Sequence, residues 1–457
     1  MLSESDIEEA IQLARFDLGE GAEPVLYRGE SDDDWPFLIL REEVAQMLPE
    51  PLAICTVAGG APGMSCFKNS SPALIVFNSR YQTQLTDFRR LLSPAWKDSD
   101  RGAMATRTFL KAVGQLALRE GNGDAATASF LRAMAITPPM PDPAQDLAEI
   151  FRPISSAVVD TAHVVSRFYG LAHEAGHVFA SGPGRDKAMR ERFPDQDLVD
   201  ALNWCAQQRR LPEMYGSELP GLMFGSDSLG LCDPQHLREE ASSDIFAVLT
   251  LLPTAVRAVE QQASREFHPG YFALECEFMS VAIHYVELCR QLASVLGRQA
   301  EETQRDRFGF DIQACLATIR KFSVRPYLQE YLAALYFDNP EPTEEELIVV
   351  DGWLQEVDSE LVRIVPPIRA AMSAALDFAR SPFDPSQCHR DLAALRRSTE
   401  RWTDESLHPR DSFGDRLIRS MRGWNYGMRR EAQDFVELAR EKRAGGELLE
   451  ELERLVG

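Results

Sequence analysis

From about residue 105 onward, apolar residues recur every three or four positions. This period predicts helices over 106–119, 124–135, 156–180, 237–251, 272–297, 311–320, 343–378, 389–400 and 428–455. Breakers separate them: Pro138-Pro139-Met140-Pro141, Ser181-Gly182-Pro183-Gly184, Asn339-Pro340-Glu341-Pro342 and Ser381-Pro382-Phe383-Asp384-Pro385. Ahead of them the pattern is different. The apolar runs Phe37–Leu40, Leu52–Val57 and Ala73–Phe77 have strand length and are bounded by Asp, Pro, Gly and Ser. The expected fold is mainly α (α+β): an α/β region over 1–100, a large helical body over 101–340 and a C-terminal helical bundle over 341–457. The loop Gly59-Gly60-Ala61-Pro62-Gly63 matches neither glycine-rich phosphate motif.

The helix predicted over 156–180 carries Leu-Ala-His-Glu-Ala-Gly-His-Val-Phe at 171–179, an HExxH string. On a helix, positions i and i+4 lie about 40° apart, so His173 and His177 face one point. Glu174 lies one step round, placed to act on a water at a metal rather than to ligate. Val164, Phe168, Leu171, Ala175 and Val178 form the core stripe of this helix. His163, Ser166, Gly170, His173 and His177 form a polar or small one, with Gly170 expected to leave room beside a metal.

A catalytic zinc needs three protein ligands and an open position. The helix over 237–251 supplies a candidate third in Glu240, with Asp244 one turn on along the same face. A carboxylate at Asp244 is placed to accept a hydrogen bond from the outer nitrogen of a ligand imidazole and so fix its tautomer. Two imidazoles and one carboxylate suit Zn2+. They also suit Fe2+ in a facial triad for oxygen chemistry, in which Glu174 has no evident job.

The pair of motifs resembles the gluzincin metallopeptidases, in which an HExxH helix is joined by a downstream ExxxD helix. The string Glu240-Ala241-Ser242-Ser243-Asp244-Ile245-Phe246 is similar to the thermolysin version. The 62 residues between the motifs are nearer the wide spacing of neprilysin-like or dipeptidyl-peptidase-III-like enzymes. The resemblance covers the two metal-site helices. It implies a zincin-like body, zinc on His173, His177 and Glu240, Glu174 as general base, Asp244 as the residue that orients a ligand, and a peptide or other amide as substrate. A non-proteolytic metalloenzyme of biosynthesis remains a further alternative. HEAGH also occurs in FtsH proteases, but no Walker A motif accompanies it here.

Composition narrows the partners. The formal net charge of −23 disfavours nucleic-acid phosphates and anionic lipid. The acidic start MLSESDIEEA lacks the basic and apolar stretches of a secretory signal, and no run of 18 apolar residues occurs, so a cytoplasmic protein with no membrane partner is expected. The eight scattered cysteines read as reduced, mostly buried thiols. No GxSxG elbow is present, which leaves serine hydrolysis unsupported. Candidates for stabilising a developing oxyanion are His284, Tyr285, Arg325, Tyr327 and Tyr331, and His163 is placed near Glu174. The segment 181–236 is expected to be a lid, a substrate wall or a plain connection.

Overall fold

The computed structural model describes residues 5, 8, 9, 12, 24–26, 35–48, 52–57, 64–67, 73–92, 98–118, 123–136, 156–181, 185–225, 232–260, 267, 269–296, 304–381, 384–400 and 431–456. Near the N-terminus β1 (Pro24–Leu26), β2 (Leu52–Val57), β3 (Met64–Phe67) and β4 (Ala73–Asn78) form one mixed sheet in the order β1-β2-β4-β3. β2 and β4 run parallel, with Leu52 opposite Ala73, and β1 and β3 pair antiparallel on either side. Ala53, Cys55 and Val57 are buried while their neighbours are half-exposed, the period of two expected of a sheet with one covered face.

The strand expected at Phe37–Leu40 is instead part of helix α1 (Trp35–Met47). The run continues into Val44 and Leu48, so Phe37, Leu40, Val44 and Leu48 are all buried at helical spacing. A four-residue apolar run alone does not distinguish the two periods; its continuation does. The loop 59–63 and the breakers 138–141, 182–184 and 382–383 lie outside the described residues.

Helices make up the rest. In chain order they are α2 (Ser79–Leu91), α3 (Asp98–Ala117), α4 (Gly123–Ala135), α5 (Ser156–Ala180), α6 (Arg185–Arg192), α7 (Asp195–Gln208), α8 (Leu211–Tyr215), α9 (Leu219–Phe224), α10 (Pro234–Glu260), α11 (Pro269–Val295) and α12 (Gln304–Tyr336). The C-terminal part contains α13 (Glu344–Arg380), α14 (Pro385–Glu400), α15 (431–441) and α16 (Glu447–Val456). α13 starts with a capping box, in which Thr343 accepts from the Glu346 amide and the Glu346 carboxylate accepts from the Thr343 amide. The long C-terminal helix expected over 428–455 is divided by the Gly445-Gly446 pair.

One contiguous core runs from Phe37 to Val456. At its centre α5 packs along α10, the most extensive helix pairing among the described residues. α10 is long and apolar enough to cross a bilayer, but most of its apolar window is buried inside the protein. Segment 181–236 is largely helical. Leu198, Leu202, Cys205, Tyr215 and Met223 form a small second core with Phe308, Ile312, Cys315, Leu316 and Ile319 of α12. The eight thiols are free, and all but Cys66 are buried.

Buried ion pairs tie the layers together. Arg89 on α2 makes a two-pronged contact with Glu275 on α11, whose side chain is fully buried. On the other side of α11, Glu277 faces Lys321 at 3.8 Å, and Lys321 and Arg325 both pair with Asp358 on α13. Burial pushes the Glu277 carboxyl up to about 7; Lys321 and Arg325 pull it down, while Asp358 and Asp244 push it further up. A carboxyl with a raised folded-state pKa stabilises the fold fully below its ordinary value of 4.5, and that contribution is lost as pH rises towards 7. Glu277→Gln should therefore gain stability over the parent across that interval, by roughly 1–3 kcal/mol. Urea unfolding of both proteins as a function of pH measures this. Parallel profiles would show that Glu277 ionises normally in the folded chain.

Candidate metal centre

The HExxH string lies on α5, and the approach of α5 to α10 is set by a glycine. A Cβ on Gly176 would fall 2.4 Å from the Ser243 Cα and 2.8 Å from its carbonyl oxygen. Only hydrogen fits there, and this contact brings Glu240 and Asp244, on either side of Ser243, up to the imidazoles. Phe179 packs on Phe246 across the same interface, with ring centroids 5.0 Å apart. Gly170 does not serve the metal site directly. The space beside it is taken by Leu85, Met64 and Tyr81, which pack on α5 from α2 and β3.

His173, Glu174 and His177 form a group whose ligand atoms all lie within 4.8 Å of one another and could hold a metal ion. Glu240 stands against both imidazoles. Its Oε2 is 3.6 Å from His173 Nε2 and its Oε1 is 3.6 Å from His177 Nε2. Asp244, 1% exposed, lies behind His173 with Oδ1 2.9 Å from Nδ1. An ionised Asp244 makes that nitrogen the donor, so it is Nε2 that faces Glu240 and would present a lone pair once its proton is displaced.

The residue that completes this arrangement is Arg320 on α12, which has no motif to announce it. Its Nε donates to Asp244 Oδ2 at 2.7 Å, Nη2 to Asp244 Oδ1 at 2.9 Å, and Nη1 lies 2.8 Å from Glu240 Oε2. The Tyr169 hydroxyl adds a longer bond to Asp244, at 3.4 Å. Burial would raise the Asp244 carboxyl, but the Arg320 charge and the His173 hydrogen bond outweigh it and bring it to about 2. Glu240 is held well below the carboxylate range in the same way, against its burial, by Arg320 and His173. Burial would lower His173; the hydrogen bond to Asp244 and the facing Glu240 carboxylate reverse this and lift it to about 10. A metal must displace that proton.

Glu174 is different. Burial raises its carboxyl and the nearby Glu240 adds to this, opposed by His173, Arg290 and Arg320. Among the described residues it has no hydrogen-bond partner, and it opens onto a cavity of about 270 Å3. Tyr81, His236, His284, Arg290, Gln313 and Arg320 supply the polar walls, and Leu237, Ile283, Val286 and Leu316 the apolar ones. Of the oxyanion candidates, His284 lines the cavity, uncharged, pushed down to about 3 by burial and by nearby arginines. Tyr285 belongs to the core, with its ring centroid 5.9 Å from that of Phe88 and 5.4 Å from that of Phe109. Arg325 is engaged with Asp351 and Asp358, Tyr327 lies under Arg192, and Tyr331 is exposed. The His163 side chain lies outside the described residues.

Gly176→Ala tests the helix contact. Helix propensity alone favours alanine by about 1 kcal/mol. Pushing backbone away from a new methyl in a packed core costs typically 1–3 kcal/mol, and the 2.4 Å approach leaves it no soft neighbour. The variant should lower the thermal midpoint, whereas Gly170→Ala, which meets the mobile Leu85 Cδ1 at 3.2 Å, should lower it less. A Gly176→Ala protein as stable as the parent would show that the two helices stand further apart.

No protein-family model, curated protein or solved structure matches this chain, so its likeness to known metalloenzymes is confined to an HExxH-type group on a buried helix.

Proposed function

We propose that the chain is a zinc-dependent metallohydrolase that cleaves a peptide or other amide bond, with His173, His177 and Glu240 as ligands and Glu174 as general base. The observation that carries this reading is the position of Glu240, one carboxylate oxygen set against each Nε2 at 3.6 Å. Two ligands about 2.0–2.1 Å from a tetrahedral zinc stand roughly 3.4 Å apart, so this spacing needs little adjustment. Charge supports the same conclusion. The Glu174, Glu240 and Asp244 carboxylates crowd the two imidazoles, and Arg320 pairs with only the last two, a concentration of negative charge that suits a cation.

Zinc, when bound, polarises a scissile carbonyl and makes water acidic enough to attack near neutral pH. The chain's own groups do the rest. Glu174 takes the proton from the attacking water and delivers it to the leaving nitrogen. In the metal-free chain burial raises its carboxyl above the ordinary range, the direction that makes a carboxylate a stronger base. Asp244 fixes the tautomer of His173, and Arg320 keeps both Asp244 and Glu240 ionised and oriented.

The test is to separate holding the metal from using it. Glu174→Gln should keep full zinc by metal analysis while hydrolysis of an acyl-peptide library falls about 10²–10⁴-fold. His173→Ala, His177→Ala and Glu240→Ala should each lose the metal itself. Stoichiometric zinc in Glu240→Ala would remove it from the ligand set. Undiminished, oxygen-dependent turnover of Glu174→Gln loaded with Fe(II) would replace the hydrolase by an oxygenase.

A further inference from the structure

The cavity wall carries a second guanidinium, Arg290 on α11, beside Glu174 and Tyr81. Unlike Arg320, it is sparsely engaged. One nitrogen, Nη1, donates to Glu287 at 3.1 Å, and its Cζ lies 5.6 Å from the centre of the Tyr81 ring. Nε is buried without a hydrogen-bond partner among the described residues, and Nη2 has none among them either. A guanidinium offers five N–H donors in a planar fork matched to a carboxylate. The Tyr81 ring and Glu287 hold this fork in place at the cavity edge, so little ordering is required when it binds.

Arg290 lines the same cavity as His173 and His177, and its charge acts on Glu174, the residue next to His173. A carboxylate held by Arg290 would therefore lie a short way from an amide at the imidazoles. The volume of about 270 Å3 is small for a ligand site and suits a short ligand.

From these contacts we infer that Arg290 is a specificity residue that binds the free carboxylate of a short substrate, an N-acylated amino acid or peptide processed at its carboxyl end. This rests on the hydrolase reading for the cleavage, though not for the binding.

The probes are N-acetyl-alanyl-leucine and its C-terminal amide. Binding is measured by calorimetry on the metal-free protein, and cleavage on the zinc-loaded one. The parent should bind and cleave the acid at least 10-fold better than the amide. Arg290→Gln should abolish that preference, lowering kcat/KM for the acid about 10- to 100-fold, as losing a charged hydrogen bond does. Glu287→Gln, which removes the competing carboxylate and does not touch the core, should strengthen acid binding several-fold. Equal handling of acid and amide by the parent, or an acid preference that survives Arg290→Gln, overturns the assignment. Acid binding that depends on Arg290 without any cleavage would keep the carboxylate site and remove the hydrolase. Cleavage that ignores the carboxylate would do the reverse.

Discussion

The carboxylate of Asp244 is almost wholly removed from water, and most of the site follows from that burial. An unpaired ion at such depth is too costly to keep, so the fold must bring cations and donors to it. Arg320 supplies a two-pronged contact from α12, His173 a ring N–H from α5, and Tyr169 a weaker hydroxyl. The same guanidinium reaches Glu240, and the same imidazole is fixed with its other nitrogen towards Glu240. A single buried charge therefore aligns three helices. Removing one partner would expose the others to the cost of being buried unpaired.

Local period made part of this legible in the sequence. His173 with His177, and Glu240 with Asp244, are four apart on helices whose apolar stripes were plain, and the sheet strands 52–57 and 73–77 were bounded by clear breakers. Phe37–Leu40 was misread because four apolar residues satisfy either period, and the decisive Val44 and Leu48 lie beyond them. His284 and Tyr285 were proposed together, yet adjacent helical positions point about 100° apart, and one faces the cavity while the other enters the aromatic core.

No motif marks Arg320 or Arg290. Each is one cation among many on a helical face, and nothing local ties Arg320 to carboxylates some eighty residues earlier in the chain. Arg325, Tyr327 and Tyr331, the candidates the sequence offers on the same helix, lie one to three turns beyond Arg320. A weaker signal was available: a carboxylate proposed for a buried position requires a counter-charge, and an arginine on a long apolar helix is the natural source.

The polar groups around the cavity come from Tyr81, His173, Glu240, Arg290 and Arg320, spread over more than half of the chain. One helix carries the His173, Glu174 and His177 group, but Glu240, which faces both imidazoles, joins it only when α10 docks. In folding terms the site has a high contact order, and the loops that must close are long. A nascent chain released through Ala180 holds the His173, Glu174 and His177 group on its helix but not yet the Glu240 carboxylate, so the finished surroundings of that group arrive only with a segment made some sixty residues later.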